Sequence, residues 1–166
     1  DGTRPTGREV GGGAHVPVVM ASVYKVFVLV AYCRAVDAGT IDPREPVVQL
    51  HPHDWQVGQQ GQSSWHQNHV RNGHMGQGKW FVDVLRAGKY RIELRRWPRH
   101  LDRAIDAKHA RITIAGLDVD HAVKTDAKQT TFEVELQKGT TTLQTWLTLA
   151  NDKTRGAYFV YVSRVP

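Results

Sequence analysis

From Lys79 onward the chain repeats with a period of two, and no other feature limits its fold as strongly. Trp80, Val82 and Val84 alternate with Phe81, Asp83 and Leu85; Tyr90, Ile92 and Leu94 alternate with Arg91, Glu93 and Arg95; Phe132, Val134 and Leu136 alternate with Thr131, Glu133 and Glu135. Successive side chains of a strand point to opposite faces, so this spacing predicts strands with one buried and one wet face. That pattern belongs to antiparallel sheets. Ala87-Gly88-Lys89 predicts a hairpin turn between the first two strands. Further strands are expected at 111–115, 142–149 and 156–164, with a long irregular connection over 97–109. Together these predict an antiparallel β-sandwich.

The N-terminal part carries a different signal. Gly11-Gly12-Gly13 and the prolines at 5 and 17 predict turns over residues 1–17. A helix is expected over 22–38, stopped by Gly39. It is apolar almost all round through Val26, Phe27, Val28, Leu29, Val30, Ala31 and Tyr32, as a buried helix is. The expected class is therefore α+β: mainly an antiparallel sandwich with one N-terminal hydrophobic helix. Leaving such a helix in water costs about 1.5–3 kcal/mol for each large side chain, so a partner surface is required. A two-fold contact is the commonest way to cover a self-complementary patch, so a homodimer through this helix is expected. The apolar run is too short to cross a bilayer and has no cleavage signature, so a cytoplasmic location without a membrane partner is expected. The lone cysteine excludes an intramolecular disulfide framework.

Val18-Val19-Met20-Ala21-Ser22-Val23-Tyr24-Lys25-Val26-Phe27 resembles the first motif of class A β-lactamases and related penicillin-binding serine hydrolases, a Ser-x-x-Lys opening a hydrophobic helix. Thr6–Gly11 ahead of it and Arg34–Val47 behind it are similar to the flanking segments of that family. The resemblance implies Ser22 as nucleophile and Lys25 as its base, three residues apart on one helix face. The family's Ser-Asp-Asn loop and Lys-Thr-Gly strand are missing; Lys124-Thr125-Asp126 and Lys153-Thr154-Arg155-Gly156 only echo the latter. Ser22 as a helix N-cap and Lys25 as a solvated first-turn residue need no chemistry.

A second resemblance covers the rest of the chain. His53-Asp54-Trp55, Trp65–Gly73, Gly78–Val84 and Gly88–Pro98, continuing through Thr131–Val134 and Ala157–Val162, are similar to the C-terminal region of bacterial arylsulfatases. That family's chemistry resides in a Cys-x-Pro/Ser-x-Arg motif, which the residues after Cys33 do not match, so the resemblance implies an accessory lobe without sulfatase activity. The segments around Trp80 and Tyr90 also resemble jelly-roll domains that bind carbohydrate. The chain thus divides into a β-lactamase-like fragment over 1–50 and a sulfatase-like sandwich over 51–166.

Histidine supplies the remaining chemical signal. His51, His53, His66, His69 and His74 crowd one loop-rich segment at the seam. On a strand His51 and His53 share a face; on a helix His66 and His69 share a turn. Imidazoles around a divalent ion, zinc being the expected one, leave a position for water whose pKa falls to about 7. Asp54 is a candidate fourth ligand or supporting group. The leading expectation is a small promiscuous hydrolase of activated phosphoesters or esters, metal dependent through His51, His53, His66 and His69, with a new site at the seam. Alternatives are a serine hydrolase using Ser22 and Lys25, and a noncatalytic sandwich that binds carbohydrate or anions through Trp65, Trp80 and Trp97. The net charge of +6 favours a small anionic substrate. Acids interleave with the bases, so nucleic acid is not an expected partner, despite the ring among cations in Leu94-Arg95-Arg96-Trp97-Pro98-Arg99-His100.

Overall fold

The computed structural model describes residues 47–57, 64 and 66–166. Contacts divide the chain into two units, Asp1–Arg44 and Glu45–Pro166, and the described residues all belong to the second. The expected helix over 22–38, with Ser22, Lys25 and Cys33, lies outside the described residues, as does Trp65.

Nine strands build an antiparallel sandwich. They are β1 (Val47–Leu50), β2 (Lys79–Val84), β3 (Gly88–Arg95), β4 (His109–Ile114), β5 (Leu117–Ala122), β6 (Thr130–Leu136), β7 (Gly139–Thr148), β8 (Thr154–Arg155) and β9 (Phe159–Arg164). A 3-10 turn (Pro52–Asp54) and a short helix α1 (Gln67–Arg71) lie between β1 and β2. One sheet runs β1-β9-β3-β6 and the other β2-β7-β4-β5, with β8 added beside β7. Val47–Leu50, on the first side of the expected seam, pair with Val160–Ser163 of β9 and so belong to the sandwich.

The inward residues of the period-two pattern form the core, and in β3 the outward Glu93 and Arg95 are buried as well, beneath the connection that follows. Ile92 and Leu94 of β3, Phe132, Val134 and Leu136 of β6, and Val160 of β9 face Trp80 and Val84 of β2, Ala110, Ile112 and Ile114 of β4, and Leu143 and Leu147 of β7 in one core. Ile92, Leu94, Ile112, Leu143, Leu147 and Val160 are completely buried.

One expectation is corrected. Ala87-Gly88-Lys89 does not join a hairpin: β2 pairs with β7 and β3 pairs with β6 and β9, so the connection crosses from one sheet to the other. Alternation specifies which face of a strand is buried, and the inward faces of β2 and β3 are satisfied equally well across the core. The ten-residue β7 offers β2 a full-length neighbour. A tight hairpin that was not expected joins β4 to β5. Ile114 pairs with Leu117 across a two-residue turn whose Ala115 and Gly116 both have positive φ, 50° and 79°. Such turns match the right-handed twist of the strands they connect. Leu117-Asp118-Val119-Asp120 alternates with period two as well, and its inward Leu117 and Val119 stay 39% and 36% exposed at the sheet edge.

The long connection after β3 appears where expected, and it is tied down on the outer face of the first sheet. The Glu93 carboxylate accepts from Arg95 Nη1 at 3.1 Å and from Arg99 Nε and Nη2 at 3.1 and 2.7 Å. Arg99 lies 4.2 Å over the Tyr161 ring, and its backbone N–H donates to the Tyr161 hydroxyl. Trp97 is buried, with Arg96 and Arg103 each 4.8 Å from its ring centre.

Candidate functional site

At one end of the sandwich the segments 52–56, 66–78, 96–108, 123–127 and 149–158 converge. Gly78 and Gly156 allow this, because each lies against Trp55. A Cβ on Gly78 would stand 2.5 Å from Trp55 Cβ, and one on Gly156 would stand 2.6 Å from Trp55 Cζ2. Gly156 N–H donates to Gly76 O, the Tyr158 hydroxyl donates to His74 O, and Ile105 N–H donates to Ala127 O. Replacing Gly156 by alanine is expected to lower stability by about 1–3 kcal/mol, as overpacking does, and thermal denaturation of the variant checks this. A melting temperature equal to that of the wild type would contradict the contact.

Beside this junction lies a cleft of about 360 Å³, lined by residues 104–108, by Val123, Lys124, Thr125, Asp126 and Ala127, and by Ala150. Two of its residues, Asp106 and Asp126, have positive φ (53° and 58°). Aspartate tolerates this region better than most residues, and here it turns the chain sharply at both walls. Lys108 Nζ is bonded to Asp152 at 2.5 Å. Asp106 is ion-paired with Arg96, whose Nη2 also donates to Arg71 O.

Behind the cleft wall stands Arg155, 1% exposed, with Nη2 donating to Ile105 O at 3.2 Å and its guanidinium 5.2 Å from the Tyr158 ring centre. Burial holds its pKa below the ordinary arginine value, opposed by Tyr158 and reinforced by the like charge of Arg96. Burial likewise raises the Tyr158 phenol, against the pull of Arg155. Arg155 has no carboxylate of its own. Among the described residues, Trp55 Nε1, Gln77 Nε2, Arg96 Nε and Arg155 Nε are buried nitrogens without a hydrogen-bond partner. All four are donors, and all belong to the segments that meet at this end. Buried donors are normally satisfied, and none of these four residues belongs to the cleft lining.

The histidines named from sequence fall into two settings. His51 caps the 3-10 turn rather than continuing β1, because Pro52 starts that turn. His51 is still extended, and with the 3-10 turn starting at Pro52, His51 and His53 do not share a strand face. The His51 ring meets Phe159 edge-on at 5.5 Å, and burial lowers its pKa, with Asp54 opposing. His53 and Asp54 are exposed on the turn. His66 caps α1, its Nδ1 accepting from Asn68 N–H at 3.1 Å. The His66 and His69 rings are 6.0 Å apart, and His69 stacks on His74 at 4.9 Å, while the Ser64 hydroxyl lies 3.2 Å from His74 Nδ1. The helical turn thus brings His66 and His69 together as expected, joined by His74 in place of His51 and His53. Stacked rings present faces to each other, whereas a shared ion requires converging nitrogens. Among the described residues no group of three or more His, Cys, Asp or Glu side chains is placed to hold a metal.

The rings expected to contact a ligand also moved. Trp80 is 2% exposed, donates from Nε1 to His51 O at 2.8 Å and packs edge-on against Trp55. Trp97 is buried between two arginines, so neither is a contact ring. The site residues that sequence reasoning missed are Lys108, Asp106, Arg96 and Arg155. Lys124-Thr125-Asp126 and the stretch around Arg155, noticed only as imperfect copies of a Lys-Thr-Gly motif, were the available signal.

Residues 3–71 match a family model described as "Beta-lactamase enzyme family". No curated protein matches the chain. Among solved structures, the sandwich is similar to a family 35 carbohydrate binding module from Clostridium thermocellum, at 12% identity and a TM-score of 0.46, covering 70% of this chain and 98% of that one. It is also similar to the CBM35 of Abf62 from Cellvibrio japonicus, at 14% identity and 0.43, covering 72% and 94%. A third is the CBM35 from Paenibacillus barcinonensis, at 13% and 0.37, covering 73% and 94%. These neighbours are described as carbohydrate binding modules, not sulfatases, and add nothing to the arylsulfatase resemblance. Among the described residues no helix is long and apolar enough to cross a membrane.

Proposed function

We propose that the sandwich unit is a noncatalytic module that binds acidic carbohydrate in the loop-end cleft. The observation that carries this reading is a small cleft whose lining sets two lysines, Lys108 and Lys124, beside apolar surface. Its volume lies at the lower end of the range for small-molecule sites. Ala104, Ala107, Ala127 and Val123 present apolar surface to the C–H faces of a sugar ring, and Thr125 presents a hydroxyl. Lys124 and Lys108 supply attraction for a carboxylate or sulfate, backed by Arg96 and Arg155.

Titration with oligogalacturonate and with chondroitin sulfate oligosaccharides tests the reading. Lys124→Ala is expected to weaken binding about tenfold, equal to about 1.4 kcal/mol, and raised salt to weaken it further. Lys138→Ala, at the other end of β7, is expected to leave it unchanged. Equal losses in the two variants would reduce the interaction to nonspecific attraction by a basic protein and overturn the proposal.

A second reading concerns the N-terminal unit, favoured by the family match over residues that include Ser22 and Lys25. There we propose Ser22 as an acylatable nucleophile with Lys25 as its base. Intact mass after incubation with a penicillin is expected to rise by one acyl adduct in the wild type and to stay constant in Ser22→Ala. An unmodified wild type overturns it.

A further inference from the structure

We propose that the outer face of the β2-β7-β4-β5 sheet is a second ligand surface, for an uncharged, extended polysaccharide chain. The inference rests on the carbohydrate reading of this unit but uses residues far from the cleft lining. Phe81, Thr142, Gln144, Trp146, Thr113 and Arg111 all alternate with core residues of their strands, so they share this outer face. Phe81 is 70% exposed, the most exposed large apolar residue described, although burial would have favoured it. Trp146 is half-buried, with the Arg111 guanidinium 4.9 Å from its ring centre, so the indole is held in place before any ligand arrives.

The spacing suits a linear ligand. Phe81 pairs with Thr142, four residues before Trp146 on the neighbouring strand, which places the two rings roughly 14 Å apart from the rise per residue and the strand separation. Between them Thr142 and Gln144 offer a hydroxyl and an amide, with Thr113 adjacent to Gln144. These groups both donate and accept, as the hydroxyls of a sugar require.

The charges select against an ionic ligand. Arg111 engages both carboxylate oxygens of Asp118, and His109 Nε2 lies 3.0 Å from Asp120. The remaining pair on β2, Lys79 and Asp83, is one of each sign. A face with balanced charge, two rings and neutral polar groups matches a neutral chain lying flat across the strands.

Affinity electrophoresis of the whole chain through gels containing hydroxyethyl cellulose, galactomannan or arabinoxylan tests this, with a polygalacturonate gel run in parallel. Retardation is expected in at least one neutral gel, weakened about fivefold by Phe81→Ser or Trp146→Ala, as loss of one ring contact does. It is expected to persist in Lys124→Ala. Phe81 is a surface residue, so its variant keeps the test valid should Trp146→Ala unfold. No retardation in any neutral gel, with Lys124-dependent polygalacturonate binding intact, overturns this inference and leaves the cleft reading standing. Dimerisation lost in Phe81→Ser, without polysaccharide binding, assigns the face to a second copy of the chain and also overturns it. No retardation in any of the four gels overturns both.

Discussion

Glu93→Gln is expected to lower the stability of the sandwich by about 3 kcal/mol, because removing one member of a buried ion pair leaves its partner charged and uncompensated. Arg95 is that partner: its side chain is 8% exposed, and besides Glu93 it has only neutral acceptors, Gln129 Oε1 and Trp97 O. For a unit of this size the loss corresponds to a melting temperature lower by on the order of 10 °C. The same carboxylate makes the effect pH dependent. Burial alone would raise the Glu93 pKa, but hydrogen bonds and charge from Arg99 and Arg95 outweigh it and hold the group below the ordinary carboxylate value. A carboxylate depressed in the folded state contributes stability that is present above its unfolded pKa and lost as pH falls through the folded one. Wild-type stability should therefore fall on acidification below the ordinary carboxylate pKa, and Glu93→Gln should lose that part of the dependence. The exposed Glu133, paired with Lys89 and Arg91, provides the control, since surface pairs contribute little. Equal melting temperatures for Glu93→Gln and Glu133→Gln would show that the network does not hold the 97–103 connection. Because that connection leads directly into the 104–108 wall, Glu93→Gln should also weaken ligand binding in the cleft without touching it.

Trp80→Ala carries the second large effect. Truncating a fully buried tryptophan costs about 3–5 kcal/mol, and loss of its indole hydrogen bond to His51 O adds about 1 kcal/mol. The urea midpoint should fall far enough that the variant is partly unfolded at room temperature. Trp55, which meets Trp80 at 5.7 Å and lies against Gly78 and Gly156, would lose its packing partner, so the loop end should loosen with the core. A variant of near wild-type stability that failed only in ligand binding would restore Trp80 as a contact ring.

The histidine segment shows where linear spacing stops being informative. His66 and His69 could be placed on one turn because α-helical neighbours recur locally, and α1 brings them together. His51 and His53 could not, since the proline between them starts a 3-10 turn and rotates the second ring away. The cleft was invisible for a related reason. Asp106 and Lys124 are 18 positions apart, and the backbone bonds from Ile105 N–H to Ala127 O and from Val123 N–H to Lys108 O set their segments side by side. Arg155 belongs to an unremarkable two-residue strand, and nothing in its neighbours announces a cation buried without a carboxylate.

What the sequence determined by itself was the alternation: which residues of β2, β3 and β6 turn inward, hence an antiparallel sandwich with an irregular crossing after β3. This follows from local geometry, because every second side chain must face the same way whatever the strand pairs with. What only the tertiary structure decided was pairing and convergence: β2 beside β7 instead of β3, and a cleft assembled from loops distant in sequence. Those depend on which surfaces fit together across the core, a property of the whole packed set of strands that no single segment encodes.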